Sequence, residues 1–184
     1  MAAMISYVAL LRGINVGGKN LIKMAELRAC FEKQGFRQVT TYIQSGNVLF
    51  TAAEPDPDEL VHRIEGSLAA TFGHQMGVVL RTRKQLQHVV GRAPDGFGAH
   101  PARYRYDVIF LKEPLTASTA MKSVLARQGV DEAHAGSGVL YFSRLISKAT
   151  QSQLGRLTSL PIYQDMTLRN WNTTTKLLQL MEAE

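Results

Sequence analysis

The sequence predicts an α+β protein of two tandem ferredoxin-like halves, each of βαββαβ type, with antiparallel sheets and a C-terminal helix. Three observations predict it. Residues 5–81 alternate strand-like and helix-like hydrophobic patterns in the order βαββαβ. A stretch with Gly91, Pro94, Gly96, Gly98 and Pro101 follows, which is linker chemistry. The remainder then repeats the theme, and Ser45-Gly-Asn-Val-Leu-Phe50 is echoed by Gly136-Ser-Gly-Val-Leu-Tyr-Phe142 at the corresponding place. The expected division is a first half over 1–90, a linker over 91–101 and a second half over 102–184 that ends in the helix.

Each element has its own signal. Ile5–Leu11 is almost wholly apolar and reads as a central strand. Met24, Leu27 and Phe31 form a helical stripe, with Cys30 beside it as a packed thiol and Gly35 placed to end the helix. Val39–Gln44 and Val48–Thr51 flank the turn Ser45-Gly46-Asn47 as a hairpin. Asp56 and Pro57 open a helix whose buried face is Leu60, Val61, Ile64, Leu68 and Phe72. Met76–Arg81 is a further strand, and Thr82-x-x-Gln85 has capping-box spacing for a short helix. In the second half Tyr106–Leu111 reads as a strand, and Thr116–Gln128 as a helix with Met121, Val124 and Leu125 inside. Val130–Ala135 and Val139–Ser143 read as short strands. Thr150-x-x-Gln153 caps a helix carrying Leu154 and Leu157, 163–168 is extended, and Asn172–Met181 is the closing helix.

Composition narrows the class. With 184 residues, 45% of them hydrophobic, the chain fits one globular domain or two small ones. No apolar run approaches the roughly 20 residues that span a bilayer, and no secretory signal pattern opens the chain, so no membrane partner is expected. One cysteine excludes an internal disulfide and points to the cytoplasm. The five histidines show no ligand spacing, so no metal site is expected, and no Gly-x-Ser-x-Gly elbow occurs. The net charge of +6 is uneven, with +4 in residues 1–50 and +3 in residues 101–150. That balance admits a small anionic ligand or nucleic acid as partner, and equally serves solubility.

Three stretches carry potential chemistry. The first runs from Val8 to Asn20. Gly13-x-x-x-x-Gly18-Lys19 follows the phosphate-loop pattern as far as its lysine, but the hydroxyl residue that should follow is Asn20. No apolar run ends in a magnesium-binding aspartate, since Val108–Leu111 runs into Lys112. A nucleotide-hydrolase loop is therefore not expected. The remaining readings are an anion site, with Arg12 and Lys19 as charges and Gly17-Gly18 as close-approach backbone, or a plain tight turn. The second stretch is Gln44–Asn47, which turn geometry alone explains, although Ser45 and Asn47 could reach the rim that holds Arg12. The third is Met166–Lys176, with the single tryptophan. Asn170 or Asn172 suits an N-cap, and a helix N-terminus beside Arg169 suits an anion. A ferredoxin-like unit also invites an RNA-binding reading. Asn47–Thr51 lacks the basic-glycine-aromatic signature, while Tyr104, Tyr106, Tyr141 and Phe142 leave room for stacking.

Leu10-Leu-Arg-Gly-Ile-Asn-Val-Gly-Gly-Lys-Asn20, Thr41-Tyr-Ile-Gln-Ser-Gly-Asn47 and Met166-Thr-Leu-Arg-Asn-Trp-Asn-Thr173 together resemble the bacterial family called domain of unknown function 1697. The resemblance covers nearly the whole chain and is poorest over Gly91–Pro101. It implies two related ferredoxin-like halves and implies no activity. Its signature positions fall on Arg12, Gly13, Asn15, Gly17, Gly18, Ser45, Gly46, Asn47, Arg169, Asn170, Trp171 and Asn172.

The leading expectation is a protein that binds an anionic or phosphorylated small molecule in a cleft between the halves. Arg12, Lys19 and Arg169 would supply charge, and Gly17 and Gly18 would line the ligand. Asn15, Ser45, Asn47, Asn170 and Asn172 would orient it, and Trp171 would form a wall. The alternatives are a nucleic-acid-binding protein using the basic segments, an enzyme, and a structural or interaction protein with no ligand. No general base is visible, so no catalytic residue is assigned, and no cofactor is identified.

Overall fold

The computed structural model describes residues 3–14, 18, 21–53 and 56–183. It is a mixed α/β protein with two four-stranded antiparallel sheets. The chain divides into two compact units, Met1–Leu86 with Leu177–Glu184, and Gln87–Lys176.

The first unit contains β1 (Ile5–Leu11), α1 (Met24–Glu32), β2 (Arg37–Tyr42), β3 (Asn47–Ala52), α2 (Pro57–Phe72) and β4 (Val78–Thr82), and α3 (Arg83–Gly91) begins in it. The sheet order is β2-β3-β1-β4. β1 is central because every residue from Tyr7 to Leu11 is buried and apolar, as a strand covered on both faces requires. Tyr7, Ala9, Leu11, Val48, Phe50, Val78 and Leu80 share one face and pack with Leu27, Cys30 and Phe31 of α1 and Leu60, Ile64 and Leu68 of α2. The Cys30 thiol lies 3.4 Å from Ser67 Oγ and is packed as expected.

Local chemistry sets the element ends. The Asp56 carboxylate accepts from the backbone N–H of Asp58 and Glu59, Pro57 opens α2, and Gly73 at φ 77° closes it. At the start of α3, Thr82 Oγ1 accepts from Gln85 N–H while Gln85 Oε1 accepts from Thr82 N–H, a reciprocal capping box.

The second unit contains β5 (Tyr104–Leu111), α4 (Ala117–Met121), β6 (Asp131–Ala135), β7 (Val139–Leu145), α5 (Leu154–Thr158), β8 (Met166–Asn170) and the first part of α6 (Trp171–Glu182). The sheet order is β6-β7-β5-β8. Taken by rank within each set of four, both sheets run second, third, first, fourth. The registers also match. Leu11 N–H donates to Gly46 O, as Leu111 N–H does to Gly138 O. Tyr7 faces Phe50 where Asp107 faces Phe142, and Val8 faces Arg81 where Val108 faces Arg169. The hairpin echo seen in the sequence is thus a match of register.

Three expectations are corrected. The helix expected over Thr116–Gln128 is one short turn, α4, and Leu125 is 50% exposed. Beyond α4 the backbone is tied elsewhere: Asp131 Oδ2 accepts from Arg127 N–H, and Arg127 O accepts from Val130 and Asp131 N–H. Thr150 does not cap α5. Residues 146–151 form a 3₁₀ segment, and Ser152 Oγ accepts from Leu154 N–H instead. Of the segment expected to be extended over 163–168, residues 166–168 are extended in β8, whereas 163–165 belong to a 3₁₀ helix over Pro161–Asp165, opened by Pro161 with its preset helical φ. The segment expected as a linker lies within the second unit, where the Phe97 ring meets those of Tyr106, Tyr141 and Trp171 at 4.9, 5.4 and 5.1 Å.

Gly46 tests the hairpin. It sits at φ 78°, and a Cβ there would lie 2.5 Å from Ile14 Cδ1 and 3.0 Å from Leu11 Cβ. Gly73 has a similar φ with open space around it. Gly73→Ala is expected to destabilise by about 1 kcal/mol from conformation alone, and Gly46→Ala by about 2–4 kcal/mol once overpacking is added. Urea denaturation of the two variants checks the order.

Candidate functional site

The expected site residues separate by unit. In the first unit, Arg12 and the Ser45–Asn47 turn meet at one end of the sheet. Leu10 faces Asn47, and Arg12 N–H donates to Gly77 O at 2.8 Å. Asn47 is fully buried and its Nδ2 donates to Tyr42 O and Ser45 Oγ, at 2.9 and 3.0 Å, which fastens the hairpin. Gly18 is exposed at φ 72°. Asn15, Gly17 and Lys19, together with Asn20, lie outside the described residues.

In the second unit, the third motif splits across β8. Successive strand residues face opposite sides. Arg169 faces Val108, whereas Asn170 faces Asp107. Arg169 is 6% exposed, and its Nη1 donates to Thr167 Oγ1 and Leu168 O, both at 2.8 Å. Burial lowers its pKa to about 10, with Tyr163 opposing the shift, so it stays charged. Its counterpart in the first unit, Arg81, is also buried and donates to Leu80 O at 2.7 Å. These arginines bond to their own backbone and fit a role in holding the last strand of each sheet.

Asn170, Trp171 and Asn172 line a pocket of about 540 Å³ at the open end of the second sheet, together with Arg105, Asp107 and Arg144. That volume suits a small molecule. Asn170 is the N-cap of α6, its Oδ1 accepting from Thr173 N–H at 2.7 Å. The positive end of the helix dipole therefore lies at the pocket. Trp171 is held by close packing, since a Cβ on Gly98 would lie 2.4 Å from its Nε1.

Register explains the rest of the lining. Arg105 lies directly opposite Arg144, and Asp107 opposite Phe142 and Asn170, all on the face that further along carries Ile109, Leu140 and Leu168. The equivalent places in the first unit are Ile5 opposite Ala52, and Tyr7 opposite Phe50 and Thr82. Where the first unit closes its core with apolar side chains, the second places two guanidiniums and a carboxylate. Asp107 is 6% exposed, and its Oδ2 has no hydrogen-bond partner among the described residues; the same holds for Arg144 Nε. Burial raises the Asp107 pKa above 3.8, and the charges of Arg144 and Arg105 oppose that shift.

Reading the sequence alone missed Arg105, Asp107 and Arg144 as site residues. Their signal was the Tyr104-Arg-Tyr-Asp107 start of an otherwise apolar strand, which has meaning only once the register is known. Opposite Arg144 on its other side, Asp131 Oδ2 accepts from the N–H groups of Arg127 and Gln153, while its Oδ1 has no hydrogen-bond partner among the described residues. Among the described residues no cluster of His, Cys, Asp and Glu could hold a metal ion, and no helix is long and apolar enough to cross a membrane.

Two antiparallel four-stranded sheets with matched registers, one ending in a charged pocket, define a two-unit α+β protein. The chain belongs to the family described as Protein of unknown function (DUF1697), whose model matches residues 4–141. It is similar to the solved structure of the conserved bacterial protein SP0830 from Streptococcus pneumoniae, with 27% identity and a TM-score of 0.84 over 97% of this chain and 99% of that one. No curated protein matches it.

The raised pKa of Asp107 gives a signed expectation. Below 3.8 the carboxyl is protonated folded and unfolded, so its burial is without ionic penalty. As pH rises through the folded pKa, ionising the buried group costs stability. Asp107→Asn is therefore expected to melt above the wild type at pH 7, with the gap closing toward pH 4. Melting curves across that range check it, and a gap that does not change with pH would contradict it.

Proposed function

We propose that the second unit binds a small anionic molecule, of the phosphate-ester class, in the pocket at the open end of its sheet. One observation carries this reading. At matched register positions an apolar pair, Ile5 and Ala52, is answered by a guanidinium pair, Arg105 and Arg144. Like charges directly opposite on a sheet destabilise it. Here they also sit beside the positive end of α6, which adds to the repulsion. An anion between them removes that repulsion and gains charge-assisted hydrogen bonds. Asn170 and Asn172 supply orienting amides, and Trp171 an apolar wall. Arg12, with the Ser45–Asn47 turn, forms a separate polar end in the first unit and is not needed for this reading.

The same matched registers and strand orders support reading the two units as ferredoxin-like copies of one βαββαβ unit. The buried free thiol of Cys30 favours a cytoplasmic location.

Melting in the presence of inorganic phosphate, pyrophosphate or sulfate at low salt tests the anion site. A ligand at one hundred times its Kd adds about 2.7 kcal/mol of stability. A saturable rise in Tm is expected for the wild type, with affinity at least about tenfold weaker in Arg144→Ala. No rise with any anion, or an equal rise in the Arg105→Ala/Arg144→Ala double variant, would overturn the proposal.

A second reading is single-stranded nucleic acid. It rests on Tyr104 and Tyr106, whose ring centres lie 6.0 Å apart with the Arg103 guanidinium over Tyr104 at 5.6 Å. Bases stack on such rings. Affinity for an RNA or DNA oligonucleotide should then fall steeply with salt, and undetectable binding at low salt removes this reading.

A further inference from the structure

We propose that the anion taken by this pocket carries a hydroxyl group, and that Asp107 and Arg144 bind that hydroxyl together, Asp107 accepting its proton and Arg144 Nε donating to its oxygen. This deepens the anion reading above and rests on it. Asp107 Oδ2 and Arg144 Nε are both buried, both belong to residues that line the pocket, and neither has a hydrogen-bond partner among the described residues. Most buried polar atoms are paired, and each exception calls for a cause. One orphan is an acceptor and the other a donor, so the group that satisfies both must donate and accept at once.

The chemistry of small groups then selects. A hydroxyl has one O–H to give and two lone pairs to receive. An ammonium only donates; it would leave Arg144 Nε orphaned and add positive charge beside Arg105 and Arg144. A carbonyl or an unprotonated phosphoryl oxygen only accepts and would leave Asp107 unmet. The anionic part of the ligand has its own partners in the exposed side chain of Arg105, the outer nitrogens of Arg144 and the N-terminus of α6. The ligand class is therefore a hydroxylated phosphate ester, such as a polyol or sugar phosphate. The matched register sharpens the assignment. The first unit has Tyr7, 1% exposed and stacked on Phe50, at the place of Asp107. A buried carboxyl that lowers stability is retained where it serves a ligand.

The test measures the Kd of glycerol 3-phosphate, n-propyl phosphate, 3-aminopropyl phosphate, inorganic phosphate and glycerol by calorimetry, with wild type, Asp107→Ala and Asp107→Asn. Wild type is expected to bind glycerol 3-phosphate about tenfold or more tighter than n-propyl phosphate, because a site built for a hydroxyl rejects the analogue that lacks it. Asp107→Ala is expected to bring that ratio to about one while inorganic phosphate binding stays within about threefold. Asp107→Asn, which keeps an accepting oxygen, should retain part of the preference. Equal binding of the two esters by wild type overturns the proposal. So does a preference for the aminopropyl ester, or a loss in Asp107→Ala shared equally by every ligand. Failure of all phosphates with binding of glycerol would overturn the anion reading and leave the Asp107 assignment standing. Failure of every probe overturns both.

Discussion

The structure depends on the register of its two central strands. β5 is paired on both sides, to β7 and to β8, and these two pairings decide which residues share a face. Asp107, Phe142 and Asn170 stand in one row, Arg105 and Arg144 in the next. A slip of β5 by one residue would send Arg105 and Asp107 to the face away from Phe142, Arg144 and Asn170. The apolar rows held by Ile109, Leu140 and Leu168 forbid the slip, because they must stay with Leu154 and Leu157 in the core. The hydrophobic half of the strand thus positions the charged half, and the pocket needs no loop to place its cations.

The same frame is filled in two ways. In the first unit the rows continue apolar to the strand end, and Tyr7, Phe50, Phe31 and Phe36 form a ring cluster with centroids 4.6–5.9 Å apart. In the second unit that end carries charge, and the aromatic mass moves to the other side. There Phe97 packs edge-on to Tyr106, Tyr141 and Trp171, and Tyr141 donates its hydroxyl to Val89 O at 2.6 Å. Beside Trp171 the pocket is bounded by this ring packing.

Much of the fold was legible in the sequence, and the reason is periodicity. β1 and α2 have strong patterns, and Asp56 and the Thr82–Gln85 box mark the ends of elements by local hydrogen bonds. The helix expected over Thr116–Gln128 stops at Met121, and beyond it the backbone at Arg127 is held by Asp131, a residue outside the helical pattern. The stretch 91–101 shows what periodicity leaves out. Gly96 and Gly98 do mark turns, at φ 77° and 86°, but Phe97 between them is a packing residue. At the site, Asn170–Asn172 were legible as a cap with polar neighbours. Arg105, Asp107 and Arg144 were not, because 39 residues separate Arg105 from its cross-strand partner and only the pairing shows that they meet.

The energetic character of the pocket argues against the plain structural reading. A motif that only joins or stiffens elements should satisfy its own groups, as Asn47 does within its hairpin. The pocket does the reverse. It sets two cations in register, points a helix N-terminus at them, and buries a carboxylate whose oxygen meets no donor among the described residues. Each of these features opposes folding. The first unit shows that Ile, Ala and Tyr fit the same register positions without conflict. Sequence features that oppose folding at a site where a compatible alternative exists are expected at functional sites. The conflict is also specific in sign, an excess of positive charge around one acceptor, and it is this sign that the proposed anionic, hydroxyl-bearing ligand would answer.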